Sequence, residues 1–170
     1  KKYNGEVISA DSRQVYKGMD IGTGKDLGDY NVPYHLIDVA SPKTQFNLAK
    51  YQKMAFIAID DILKRGKLPI LVGGSGLYIQ AVVDNFKLSN AKKDLTLRKS
   101  FEKLNAGQLF SKLKKLAPKM AVKLNQSDKN NKRRLMRYLE ILEQDKNFKS
   151  QTGRKKYDTL IIGINHSREI

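Results

Sequence analysis

The sequence predicts an α/β protein with a parallel sheet, and three observations carry that expectation. Apolar runs alternate with amphipathic stretches in the order strand, helix, strand, helix between residues 6 and 83. Parallel strands need such crossover connections. A polar turn, Asp11-Ser12-Arg13-Gln14, follows the first run, and a glycine-rich turn, Gly73-Gly74-Ser75-Gly76, follows a later one. Both sit at C-terminal strand ends, where open α/β sheets bind ligands. From residue 87 onward the pattern becomes helical and strongly basic, the mark of an inserted helical segment.

The first buried strand is expected at 6–9 and a second at 34–39, each a compact apolar run bounded by polar or turn residues. Leu48, Tyr51, Ala55, Ala58, Ile59 and Ile62 recur at helical spacing, so 48–65 reads as a helix with Asn47 as its N-cap and Gly66 as its stop. Residues 68–72 form a continuous apolar strand, and a helix follows through about Val83. In the basic stretch, Leu97, Phe101 and Leu104, then Leu109, Phe110, Leu113 and Leu116, make two apolar stripes. A further amphipathic helix is expected at 133–143, a polar connection at 146–157, a last buried strand at 159–164 and a helix start at Ser167. The resulting division is an α/β core at 1–86, a basic helical insertion at 87–125, and the second part of the core at 126–170.

The chain has 170 residues, no cysteine and two histidines, His35 and His166. Disulfides and thiolate metal sites are excluded, and a histidine-based zinc site is disfavoured. No apolar run approaches bilayer length, and Lys1-Lys2-Tyr3-Asn4 carries no signal-like hydrophobic stretch. The expectation is a cytoplasmic protein without membrane partners. The formal net charge is +16 at pH 7. Its excess is concentrated: residues 1–91 hold 12 Lys/Arg against 9 Asp/Glu, and 92–156 hold 20 against 6. One-sided cationic charge suits a polyphosphate partner, nucleic acid foremost, and equally describes a lysine-rich solvated surface.

The stretch from Gly5 to Lys25 contains Asp11-Ser12-Arg13-Gln14-Val15-Tyr16 and Lys17-Gly18-Met19-Asp20-Ile21-Gly22-Thr23-Gly24-Lys25. A carboxylate at a strand end serves as a turn or helix-cap residue, or as a general base. Gly73-Gly74-Ser75-Gly76-Leu77-Tyr78 lets backbone approach a ligand closely, or packs a turn tightly. Asn130-Asn131-Lys132-Arg133-Arg134-Leu135-Met136-Arg137-Tyr138-Leu139-Glu140 sets Arg134 and Arg137 three apart, able to share a helical face, while Leu135, Leu139 and Leu142 point inward. Such arginines fit phosphate oxygens, or simply form a charged face.

These three segments, in this order, resemble the signatures of tRNA dimethylallyltransferases. The resemblance covers nearly the whole chain and implies a P-loop NTPase-like three-layer core. It also implies transfer of a dimethylallyl group from dimethylallyl diphosphate to the N6 amine of an adenosine beside the anticodon, by a monomeric enzyme. Asp11 then takes the place of the general base. Asp11, Ser12, Arg13, Gln14, Ser75, Arg98, Arg133, Arg134 and Arg137 take places that contact tRNA, with Arg137 a candidate for the diphosphate. Ser12 and Gln14 can bond a base edge or adjacent backbone, and the flipped adenosine is expected between core and insertion. His35 is expected as a buried structural histidine beside Asp38.

The resemblance also implies Mg²⁺ and an upstream Gly-x-x-x-x-Gly-Lys-[Ser/Thr] loop for the diphosphate. That pattern does not occur in the 170 residues. Gly24-Lys25 and Gly66-Lys67 are followed by Asp26 and Leu68, without the glycine spacing. The expectation is a piece of the family enzyme, lacking its first strand and its C-terminal end and poorly stable alone. Two alternatives stand beside the tRNA enzyme: an adenylate isopentenyltransferase that prenylates a free nucleotide, and an inactive tRNA-binding remnant.

Overall fold

The strand β1 (Gly5–Ser9) is central to a three-stranded parallel sheet with β2 (Tyr34–His35) and β3 (Leu68–Val72), in the order β2-β1-β3. Val7 stands opposite Tyr34 and Ile70, and Ile8 opposite His35 and Leu71. The structure is a computed structural model that describes residues 2–25, 27–89, 91–146, 148 and 151–164. His166 and the expected helix start at Ser167 lie outside the described residues. By contact the chain divides into two compact units, one of residues 1–86 with 152–170 and one of residues 87–151.

In the first unit, α1 (Leu48–Lys64) starts where Asn47 Oδ1 accepts the Lys50 amide at 3.0 Å. It ends before Gly66, whose φ of +68° reverses the chain into β3 at low steric cost. The buried stripe Tyr51, Ala55, Ala58, Ile59 and Ile62 packs with Ile8 and Ala10, and α2 (Gly76–Val83) adds Tyr78 and Val82 to the same core. On the other sheet face Leu68, Ile70 and Val72 are exposed.

The carboxylate of Glu6, in β1, is buried. It meets both terminal nitrogens of Arg65, with Nη2 at 2.8 Å, Lys67 Nζ at 2.7 Å, and His35 Nε2 at 2.8 Å. Hydrogen bonds from Arg65, then from Lys67 and His35, outweigh burial and hold its pKa far below the carboxylate range. His35, expected as a buried histidine beside Asp38, is instead a partly exposed structural partner of Glu6.

Two expected strands differ. The run 34–39 is a strand only at Tyr34–His35, because Leu36 and Asp38 adopt left-handed backbone, φ +64° and +56°. That turn carries the segment to a second partner. Asp38 N–H donates to Gln14 O at 3.0 Å and Ala40 N–H to Val15 O at 2.9 Å. The run 159–164 forms no strand, and Leu160, Ile161, Ile162 and Ile164 are exposed. The chain before it is tied to α1, where Lys156 Nζ and Tyr157 Oη both donate to Asp60 at 2.7 Å. No described strand edge receives the run, so its apolar side chains stay in solvent.

The second unit is helical: α3 (Leu95–Glu102), α4 (Ala106–Leu116), α5 (Pro118–Lys123), α6 (Gln126–Lys129) and α7 (Lys132–Gln144). Asp94, Asn105, Asn125 and Asn131 each cap a helix by accepting an amide three residues on. Phe101, Leu109, Leu113, Leu135, Leu139 and Leu142 form the core, and Leu116 lies outside it, exposed. The expected boundary at 125 falls inside this unit, because α7 packs on α4 and contributes half of that apolar core. The chain enters and leaves the unit at β4 (Phe86–Lys87) and β5 (Gln151–Thr152), which pair with each other.

Candidate functional site

The ends of β1 and β3 are drawn together by backbone. Ala10 N–H donates to Val72 O at 2.6 Å and Ser75 N–H to Ala10 O at 3.1 Å. A Cβ at Gly73 would collide with the Ala10 backbone, so glycine there serves a close approach of chain to chain. The approach sets two polar turns side by side. Ser75 Oγ accepts the Ser12 amide at 2.9 Å and lies 3.2 Å from Ser12 Oγ, instead of capping its own helix.

Asp11 leads the first turn. Its Oδ1 accepts the amides of Arg13, at 2.7 Å, and Gln14, at 3.3 Å. This Asx turn fixes the carboxylate. Oδ2 has no protein hydrogen bond among the described residues, and Ser12 and Arg13 are exposed beside it. Of the two partners read for Gln14, the structure has backbone: its Nε2 donates to Thr23 O at 3.1 Å and Gly24 O at 2.9 Å, and its Oε1 accepts from Ser9 Oγ at 2.8 Å. Gln14 is thus a brace between strand and loop.

That loop is pinned by Lys25, which is 2% exposed. Its Nζ donates to Tyr16 O at 2.6 Å, Asp20 at 2.8 Å and Asp38 at 2.6 Å. Burial works against its charge, yet Asp20 and Asp38 outweigh it, and the pKa lies above the ordinary lysine value. Sequence reasoning missed this role, having read Gly24-Lys25 as the end of the first signature and weighed it as a phosphate-loop fragment. The acidic residues at 20 and 38 were the available signal. Tyr51 was read as one member of an apolar stripe, but its hydroxyl donates to Ser9 O at 3.0 Å and its ring stacks on Tyr78, centroids 3.9 Å apart.

The remaining site residues belong to the second unit. Arg98 and Arg137 converge on Glu140, which is fully buried. Arg98 donates through Nε and, at 2.8 Å, through Nη2, while Arg137 Nη1 reaches Glu140 at 3.3 Å and its Nη2 donates to Ala91 O at 2.8 Å. Burial opposes the Glu140 charge, but Arg98, then Arg137 and the Asp94 amide, hold its pKa below the carboxylate range. Arg134 pairs with Asp128, and Arg133 is exposed. The structure therefore groups Asp11, Ser12, Arg13, Gln14 and Ser75 in one unit and Arg98, Arg133, Arg134 and Arg137 in the other.

Among the described residues no group of three His, Asp or Glu side chains could hold a metal ion, and no helix is long and apolar enough to cross a membrane.

A family model described as IPP transferase matches residues 14–170. A tRNA dimethylallyltransferase from Oceanobacillus iheyensis is 42% identical over 181 residues, covering 100% of this chain and 57% of that protein. One from Anoxybacillus flavithermus is 40% identical, over 99% of this chain and 56% of its own. The chain thus spans little more than half the length of these curated relatives. A solved eukaryotic dimethylallyltransferase acting on tRNA superposes with a TM-score of 0.68 and 29% identity, over 89% of this chain and 40% of that one. The full-length tRNA isopentenylpyrophosphate transferase from Bacillus halodurans matches with a TM-score of 0.50 and 43% identity, over 84% and 48%.

Proposed function

Because this chain belongs to the IPP transferase family, we propose that it serves transfer of a dimethylallyl group from dimethylallyl diphosphate to the N6 amine of an adenosine beside the anticodon of tRNA. In that reaction the nitrogen-to-carbon bond forms, the allylic carbon-to-oxygen bond breaks, and diphosphate leaves. The amine proton goes to a base, and Asp11 fills that role. The observation that carries the reading is its split carboxylate: Oδ1 is held by two amides and Oδ2 carries no protein bond among the described residues, at the C-terminal edge of a parallel sheet. An exocyclic amine is a weak nucleophile, and a fixed acceptor both orients it and removes its proton.

Ser12 and Ser75 hold the two turns in register, and Gln14 and Lys25 hold the adjoining loop. Arg13, Arg133 and Arg134 supply positive charge for tRNA phosphates. Arg98 and Arg137 keep their geometry through Glu140, with Arg137 the candidate for the diphosphate. Mg²⁺, which such a diphosphate chemistry calls for, is held mainly by phosphate oxygens and water with one or two protein oxygens, and no cluster of three His, Asp or Glu side chains among the described residues would hold it without the diphosphate.

The test supplies the protein at its natural length with labelled dimethylallyl diphosphate, Mg²⁺ and either an unmodified anticodon stem-loop or free adenylate. Label on the stem-loop alone supports the reading. Label on adenylate in preference would make it an adenylate prenyltransferase, and RNA binding without transfer would make it an inactive remnant.

A further inference from the structure

Tyr51 and Tyr78 are stacked within the core of the first unit, ring planes 22° apart, and their hydroxyls have different fates. That of Tyr51 is committed to Ser9 O. Tyr78 is 9% exposed, and its hydroxyl makes no hydrogen bond among the described residues. No buried side-chain nitrogen or oxygen among the described residues lacks a hydrogen bond, so the Tyr78 ring is buried while its hydroxyl reaches solvent, where a ligand can meet it. Its position is set by the site itself. Tyr78 lies in the first turn of α2, its amide donating at 2.8 Å to the carbonyl of Ser75, the residue whose side chain holds the Asp11 turn. Burial raises the Tyr78 pKa, and Tyr16 and Asp11 raise it further, so the hydroxyl lies within the field of Asp11 and keeps its proton.

We propose that Tyr78 is a base-reading residue, its hydroxyl donating a hydrogen bond to a ring nitrogen of the adenine whose amine is presented to Asp11. The inference rests on the adenosine-modifying reading above. On adenine the amine is a donor flanked by the acceptors N1 and N7. A carboxylate that accepts beside a hydroxyl that donates matches that pattern. Guanine puts a carbonyl oxygen where the amine would be and would face the Asp11 carboxylate with a second acceptor, so the pair also excludes it. A site built to satisfy a substrate's polar edge discriminates strongly, because the wrong edge leaves buried groups unpaired.

The experiment measures kcat/KM for prenyl transfer to stem-loops bearing adenosine, 1-deazaadenosine or 7-deazaadenosine at the target position. It compares the wild type with Tyr78→Phe, which keeps the ring and its stack, and with Tyr51→Phe. Tyr78→Phe should lower kcat/KM on adenosine about tenfold, the loss of one buried hydrogen bond. On the analogue lacking the contacted nitrogen, the wild type should already show that loss and Tyr78→Phe should add none. Tyr51→Phe should keep the wild-type preference among the three substrates. The proposal is overturned if Tyr78→Phe matches the wild type on adenosine, or if it loses the same factor on all three. It is also overturned, whatever the variant's folding, if the wild type accepts both analogues as well as adenosine. A wild type that prenylates no RNA overturns the functional reading, and this inference with it.

Discussion

Ser75 Oγ accepts the Ser12 backbone N–H at 2.9 Å across 63 positions of sequence, and this bond joins the turns that follow β1 and β3. The Asp11 carboxylate is oriented by the first of those turns, so its aim depends on a serine from the second. Ser75→Ala should lower stability by about 1 kcal/mol, the net value of one such bond. It should lower transfer more than stability explains, and Ser75→Thr should restore both. Urea unfolding and single-turnover transfer check the two effects.

Gly73→Ala places a methyl group on the Ala10 backbone. Neither partner is the end of a flexible side chain, so the strands must separate. A loss of about 3 kcal/mol is expected from overpacking, read as a lower urea midpoint at an unchanged slope.

Glu140→Ala removes the shared acceptor of Arg98 and Arg137 from a fully buried site. Breaking such an arrangement costs roughly 3 kcal/mol. The second unit should lose protection from hydrogen exchange while the Asp11 turn keeps its own, the two being separate compact units.

Stability should depend on pH at both extremes. Glu6, through Arg65, Lys67 and His35, and Glu140, through Arg98, have folded-state pKa values below the ordinary one. Each contributes stability that is present above the unfolded carboxylate value and is lost as pH falls toward the folded one. Lys25 has a raised folded-state pKa. Its contribution is complete below the unfolded lysine value and is lost as pH rises through the folded one. Urea midpoints should therefore fall on both limbs, Glu6→Gln flattening the acid limb and Lys25→Met the alkaline one.

Elements defined by local chemistry were legible in the sequence. Asn47, the stripe from Tyr51 to Ile62 and Gly66 specify α1 by cap, period and stop, and 68–72 is a strand as read. Elements defined by distant partners were not. The run 34–39 has strand composition throughout, but Gln14, Val15 and Lys25 pull its second half into left-handed backbone at Leu36 and Asp38. At 159–164 the β-branched residues suit a sheet, and composition cannot say whether an edge is at hand. In the site, Asp11 and Ser75 were legible as motif positions. The tertiary roles of Lys25 and Tyr51 were not, because each depends on atoms from another part of the chain.

The most direct test of Asp11 as the proton acceptor is the single-turnover rate of prenyl transfer to the stem-loop by Asp11→Asn beside the wild type. Asparagine keeps an oxygen for the Arg13 and Gln14 amides but cannot take a proton. The account predicts a rate lower by about a thousandfold, with salt-sensitive stem-loop binding retained. Transfer by Asp11→Asn at the wild-type rate would contradict it.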